Sequence, residues 1–431
     1  MAEILPLTAL HYDLTKAGPL ADLVAPPYDV IDEDQRAELQ ARSPYNVVGL
    51  DLPEPPAGDP GKDRYAHARD LLDEWRAQGV ITQDPTPAIW PLEQEYTGPD
   101  GQRRTRRGFL CRVRVTEYGD GRIRPHERTH PGPKQDRLDL TRATQANLSP
   151  IFSLYSDPGN TAWQALTPHV RTTQPFGETT DPDGTVNRVW RITEPNAIET
   201  VVEAVADAEL LIADGHHRYE TARVYANEIG SHEGPHRWVL MCLVAIEDPG
   251  LTVFPTHRLV SGIEHDPDRQ EALDRTIREQ FDVIELPDRG SLIPDPRAGD
   301  ESIQIGYMDA FGQVPYLLSL KEESIVDDLL ADHSEAYRQL DTAVLEAVIL
   351  KHALGMTDDQ IDHKDGLDYA RDFDAALDAL DSEEADAGFF MAPTPIEQVE
   401  EVAASGESMP PKSTYFFPKV PTGLVFNPLA G

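Results

Sequence analysis

Apolar residues recur along this chain in two rhythms. Residues 63–78 (DRYAHARDLLDEWRAQ) carry them at three- and four-residue intervals, predicting an amphipathic helix closed by Gly79. The same period predicts helices over 195–207, over 268–281 and over 324–350, the last with TAVLEAVIL as its buried face. Residues 33–41 form another, with Asp32 as N-cap and acids in the first turn. Alternation replaces this rhythm in AIWPLEQEY (88–96) and TRRGFLCRVRVTEY (105–118), which predict paired strands around the turn GPDG. Short continuous runs, NVVGLDL (46–52), LLI (210–212) and VLMCLV (239–244), predict buried strands, and GLTVFPTHRLV (250–260) one more.

Helices and strands alternate without an internal repeat or a low-complexity tract, so the expected class is mixed α/β: several mixed sheets with flanking helices. The 431 residues suffice for more than one domain. The expected division is a discontinuous core of 1–52 plus 196–290, an inserted α+β subdomain over 53–195, and a C-terminal α+β subdomain over 291–431.

The net charge of −38 changes the functional picture. A nucleic-acid backbone or an anionic membrane would be repelled, so neither is an expected partner. Eight lysines against thirty arginines, with abundant Asp and Glu, suit either a high-salt cytoplasm or an acidic protein of ordinary habitat. No apolar run approaches the ~20 residues of a membrane helix, and a cytoplasmic location is expected. Cys111 and Cys242 sit in separate apolar runs and predict buried free thiols.

Against this acidic background three polar clusters stand out. Arg103, Arg104, Arg106 and Arg107 form a basic island that fits the charged face of a hairpin better than a ligand contact. Residues 125–142 gather His126, Glu127, Arg128, His130, Lys134, Asp136, Arg137 and Arg142 in a loop running into a helix, a density that favours function over surface decoration. The third is LLIADGHHRYETA (210–222). A buried strand, a glycine turn and a helix start make an anion site, because free N–H groups and the helix dipole point at the ligand. Arg218 adds a planar fork for phosphate and is expected to face solvent, while His216 and His217 can move protons. A plain strand-turn-helix joint is the competing reading. Lys412, in GESMPPKST, reads equally as a surface lysine or as a ligand contact.

VAPPYDVI (24–31), PHERTHPGPKQDRL (125–138), SPIFSLY (149–155), IADGHHRYETA (212–222), PTHRLV (255–260) and MPPKSTYFFPK with GLVFNPL (409–429) resemble, in order, the prokaryotic domain-of-unknown-function 1015 family. The DGHHR box is in turn similar to the phosphate-binding box of the ParB/sulfiredoxin superfamily, whose members include kinases of free serine. That resemblance implies ParB/sulfiredoxin-like core elements, with Gly215, His216, His217 and Arg218 on a nucleotide's phosphates, Asp214 beside them and Asp29 where the superfamily's first box lies. The polar clusters add Lys134, Arg137 and Lys412 as further expected phosphate contacts. The expected catalytic set is Asp29, Glu127, Asp214 and His216, with Asp29 or Glu127 as the carboxylate that takes the hydroxyl proton. The implied cofactor is ATP, ADP or CTP with Mg2+. Sulfiredoxin's active cysteine has no counterpart in DGHHR, and about 180 residues separate Asp29 from Gly215.

The leading expectation is nucleotide-dependent phosphoryl transfer to a small hydroxylated metabolite, free serine being the first candidate by resemblance. A nucleotide-binding regulator without a metabolite substrate is the alternative. Metal-dependent hydrolysis through His126, His130, His216, His217 and Asp214 is the third. Oligomeric state is left open.

Overall fold

The computed structural model describes residues 2–430 except 57, 60, 62, 99–100, 120–122, 128–130 and 298–301, with the backbone alone for 131–133. The chain forms two compact units. One comprises Met1–Pro125, Thr129–Thr252 and Pro418–Gly431, the other His126–Arg128 and Val253–Phe417.

The first unit is built on a nine-stranded mixed sheet. Its strands are β1 (Ile4–Leu5), β2 (Trp90–Thr97), β3 (Arg103–Arg114), β4 (Ile123–Arg124), β5 (Ile151–Tyr155), β6 (Gly177–Thr180), β7 (Val186–Val189), β8 (Leu210–Asp214) and β9 (Trp238–Ala245). The order is β4-β8-β5-β9-β3-β2-β7-β6, with β1 added to β3. β4–β8 and β5–β9 pair in parallel and the other neighbours antiparallel. The alternating stretches pair as predicted, from Trp90↔Leu110 to Thr97↔Arg103. β9 is buried at all eight positions, as a central strand covered on both faces must be.

The unit's labelled helices are α1 (Glu33–Arg42), α2 (Arg64–Ala77), α3 (Pro131–Thr144), α4 (Thr161–Thr172), α5 (Pro195–Val205) and α6 (His216–Ile229). α4, α5 and α6 bury Trp163, Val201 and Tyr219 in one cluster with Phe109, Cys111, Met241 and Leu243 of the sheet. α1 opens with a full capping box between Asp32 and Gln35. The two cysteines are free and buried, as expected.

The second unit carries β10 (His257–Val260), α7 (Pro267–Gln280), β11 (Phe281–Glu285), β12 (Gln304–Asp309), β13 (Tyr316–Leu320), β14 (Leu367–Ala370), α8 (Phe373–Asp381), β15 (Ala387–Phe390) and α9 (Ile396–Ala404). Its six strands form an antiparallel sheet in the order β11-β13-β12-β15-β10-β14. The protein is thus mixed α/β, with mixed and antiparallel sheets and flanking helices.

Several elements differ from the pattern's prediction. NVVGLDL is no strand; Val48–Asp51 is a short buried helix. The stretch 324–350 is broken into Ser324–Leu329, Glu335–Arg338 and Asp341–Val344, followed by a π-helical run Leu345–Ala353. GLTVFPTHRLV splits at Pro255, which cannot donate to a ladder, into Thr252–Phe254 and β10. The units also divide the chain at other points than the three expected segments, because β2, β3 and β5 share a sheet with β8 and β9.

Candidate functional site

β8 is an apolar run that buries Leu210, Leu211, Ile212 and Ala213 between β4 and β5. Its register against β5 shifts between Ile212 and Asp214, which sets Asp214 opposite Phe152. Gly215 then turns the chain with φ +97°, a left-handed conformation suited to glycine, and α6 begins at His216. No side chain caps this helix start, and its first turn holds no acid. The N-terminal N–H groups and the dipole therefore face the end of β8 with no carboxylate of their own first turn.

The Asp214 carboxylate bonds two cations at once, Arg218 Nη2 on one oxygen and Lys419 Nζ on the other. Burial alone would raise its pKa; Lys419, Arg218 and His216 outweigh burial and hold the carboxyl well below the usual carboxylate range. Arg218 Nη1 also donates to Ser149 Oγ at 2.8 Å and to the Pro150 carbonyl. Its side chain is 10% exposed. Arg218 is thus an interior bridge and not the solvent-facing fork expected. A Cβ on Gly215 would lie 2.8 Å from Arg218 Nε, so the missing side chain makes room for the guanidinium. His216 is buried and His217 half-buried on the same turn.

A second polar knot lies on α3. Arg137 Nη1 donates to the Asp51 carbonyl at 2.8 Å and to Asp51 Oδ1 at 3.1 Å, and its Nε to Asp136 Oδ2 at 2.8 Å. The guanidinium stacks over Tyr28 at 4.2 Å. Burial lifts the Asp51 carboxyl above its ordinary value, although Arg137 and Arg218 pull it back. Burial also pushes the Tyr28 phenol up to about 12. Arg137, read as a phosphate contact, is therefore held by protein carboxylates. Tyr28, Asp51, Arg137, Ser149, Arg218 and Thr221 share the wall of one small cavity, which joins the two knots.

The other predicted residues are distributed as follows. Asp29 is exposed on the 3-10 turn Tyr28–Val30, next to Tyr28 of the cavity wall. Lys134 is half-buried on α3. Glu127 and Lys412 belong to the second unit, where Glu127 Oε1 accepts the Lys412 N–H at 3.1 Å and Lys412 has φ +57°. Within that unit Arg258, 3% exposed, donates to the Pro411 and Lys412 carbonyls and fixes this loop. His126 also lies there, with Nε2 2.8 Å from Thr414 Oγ1, and His130 lies outside the described residues. Among the described residues no group of three or more His, Cys, Asp or Glu side chains gathers to hold a metal ion. No helix among them is long and apolar enough to cross a membrane.

In the basic island, Arg103 and Arg107 pair with Glu95 and Glu93 across the hairpin, as a charged face should. Arg106 turns inward, 1% exposed, bonded to Gln94 and stacked on Phe152 at 4.3 Å. Sequence reasoning missed Lys419, Asp51, Tyr28 and Ser149. Lys419, Tyr28 and Ser149 lie inside motifs already singled out (FFPK, PPYDV, SPIF), and the signal was a polar residue set among apolar or proline neighbours.

A family model described as "Protein of unknown function (DUF1015)" matches residues 4–343. No curated protein matches the chain. Among solved structures, a free serine kinase in complex with AMP is similar at 15% identity and a TM-score of 0.35, over 68% of this chain and 83% of that one. A conserved hypothetical protein from Pyrococcus furiosus is similar at 16% identity and a TM-score of 0.36, over 70% and 90%. SbnI with a C-terminal truncation, from Staphylococcus aureus, gives 14% identity and a TM-score of 0.35, over 71% and 82%.

Proposed function

The chain belongs to the DUF1015 family of proteins of unknown function, and from that premise we propose that it is a nucleotide-dependent phosphotransferase acting on a small hydroxylated metabolite. One observation carries the reading. The uncapped start of a 14-residue helix follows a buried strand through a left-handed glycine, with Arg218 and Lys419 fixed beside it on Asp214. Phosphoryl transfer asks a protein for positioning and charge neutralisation more than for covalent chemistry, and such a helix start supplies both. The N–H groups of residues 216–218 and the Lys419 ammonium would take phosphate oxygens, and Asp214 would hold the two cations in register. Asp29 or His216 would accept the hydroxyl proton. Mg2+ would enter as the counter-ion of the nucleotide's own phosphates. The kinship of DGHHR with the ParB/sulfiredoxin box belongs to this proposal, as do free serine as first acceptor and the cytoplasm as location.

The alternative, a nucleotide-binding regulator, draws on the pairing of both cations with Asp214: an incoming phosphate would compete with an internal carboxylate, and such exchange can act as a switch. One experiment separates the two readings. Thermal shifts with ATP, ADP and CTP plus Mg2+ report binding, worth about 2.7 kcal/mol at 100 times the dissociation constant. Product formation against a panel of hydroxylated metabolites, L-serine first, then reports transfer. A shift without product leaves the regulator, and no shift with any nucleotide removes both.

A further inference from the structure

Lys419 lies in the stretch 418–421, which belongs to no helix or strand, yet its ammonium sits on Asp214 with the side chain only 16% exposed. A lysine is a point charge on a flexible four-carbon stem, so its place depends on where the main chain is held. Here the hold comes from the sheet. Gln94 Nε2 donates to the Lys419 carbonyl at 2.9 Å and to Asn187 Oδ1 at 2.7 Å, which uses both of its hydrogens. Gln94 Oε1 accepts from Arg106, through Nε at 3.1 Å and through Nη2. A flipped amide would turn its oxygen on the Lys419 carbonyl and its N–H groups on the guanidinium, so one orientation alone satisfies these partners. Asn187 is fixed in turn by donating from Nδ2 to Asp181 Oδ2 at 2.8 Å. Arg106, Gln94 and Asn187 stand directly opposite one another across β3, β2 and β7, each 1% exposed, and all of these residues belong to the first unit. Burial lowers the Arg106 pKa only to about 10, so the guanidinium stays charged at neutral pH and strengthens the bonds it makes to Gln94. Apolar side chains would fill a sheet interior at less cost, since each buried polar group must find its partners. This row finds them, and through Gln94 it reaches the carbonyl of the lysine that pairs with Asp214.

We propose that Gln94 is a positioning residue of the candidate site: with its amide locked by Arg106 and Asn187, it holds the Lys419 main chain where the ammonium reaches Asp214. Resting on the phosphotransferase reading, it thereby places that ammonium for the nucleotide's phosphates, and it acts only through Lys419.

The test uses the full chain without nucleotide. Trace acetylation by acetic anhydride is read lysine by lysine by mass spectrometry. An amine reacts in its neutral form, so pairing with Asp214 makes Lys419 slow. Gln94→Met keeps the length of the side chain and loses the amide. It should speed Lys419 by on the order of tenfold, the effect of a one-unit fall in an amine's pKa, while the other seven lysines keep their rates. If that variant does not fold, Gln94→Met with Arg106→Met takes its place, because no unpaired guanidinium is then left buried. A row that serves the sheet alone is the competing outcome. It shows as an unchanged Lys419, or as one quickened no more than the other seven, and either overturns the proposal. A second readout is nucleotide affinity. The losses from Gln94→Met and Lys419→Met should not add, so the double variant should bind as Lys419→Met does, and fully additive losses also overturn the proposal. A failed nucleotide screen leaves the labelling result standing, and an unmoved Lys419 leaves the nucleotide site standing.

Discussion

Arg137 and Asp51 side chains are each 6% exposed and face one another at 3.1 Å, so neither charge reaches water while the fold holds. Removing one partner of a buried pair strands the other, at about 3–5 kcal/mol. Arg137→Met should therefore lower the urea-unfolding free energy by that order, and Arg137→Met with Asp51→Leu should recover most of it. A single variant as stable as the wild type would show that the pair adds nothing. In sequence Arg137 and Lys134 look alike, cations in a polar cluster, because the partner that separates them lies 86 residues from Arg137. Lys419 was missed for the same reason: Asp214, which gives it a role, is 205 residues away. Asp214 makes that pairing measurable. Its folded pKa is depressed below the ~3.9 of an unfolded aspartate. It therefore contributes stability above about pH 4, and that contribution is lost as pH falls through the unfolded value towards the folded one. Lys419→Met removes one of its two cationic partners, so the folded pKa should rise and the acid-unfolding midpoint should move to higher pH. An unmoved midpoint would mean that Arg218 and His216 suffice.

β8, Gly215 and α6 were legible because each follows from neighbours in sequence: an apolar run, a glycine, then a helical period. Residues 46–52 misled because a short apolar run reads the same as a buried strand or a buried helix. Asn46 decides it. Its Oδ1 accepts the Val48 N–H at 3.0 Å, and its Nδ2 donates to the Asp22 and Val24 carbonyls, which bends the chain into the turn that starts Val48–Asp51. The long helix expected over 324–350 failed for lack of a stop signal in the hydrophobic period alone. The two ends of α6 allow a controlled test. Gly215 and Gly230 both have positive φ, +97° and +76°, so alanine at either should cost about 1–2 kcal/mol of backbone strain. At Gly230 the added Cβ would meet the Asn227 carbonyl at a comfortable 3.8 Å. At Gly215 it would press on the Arg218 guanidinium. Gly215→Ala should thus lose more stability by chemical denaturation than Gly230→Ala, and it alone should weaken nucleotide binding by calorimetry. Equal affinities in the two variants would separate the glycine turn from the site.

The mixed α/β class was legible from the alternation of elements, but the assembly was not, because sheet order is set by non-local pairing. β9 lies between β5 and β3, strands that begin 87 and 135 residues before it (238 less 151 and 238 less 103). Residues 418–431 return to the first unit after the whole of the second. Net charge, by contrast, needs no topology. A charge of −38 on 431 residues repels itself in the compact state more than in an expanded one. The Debye length falls from ~10 Å at 0.1 M to ~3 Å at 1 M salt, short enough to screen neighbouring surface carboxylates. Tm should therefore climb between 0.1 and 1 M NaCl, most steeply at the low end. At fixed pH, KCl at equal ionic strength should give the same curve, since screening depends on ionic strength and not on the cation. Lowering pH towards the carboxylate range should shrink the salt effect, because protonation removes the charge that salt screens. Buried pairs such as Arg137–Asp51 are screened far less, so the Arg137→Met deficit should persist at 1 M NaCl. A melting temperature flat in salt would mean that the acids of this surface stand too far apart, or too often beside arginines, for their repulsion to load the fold.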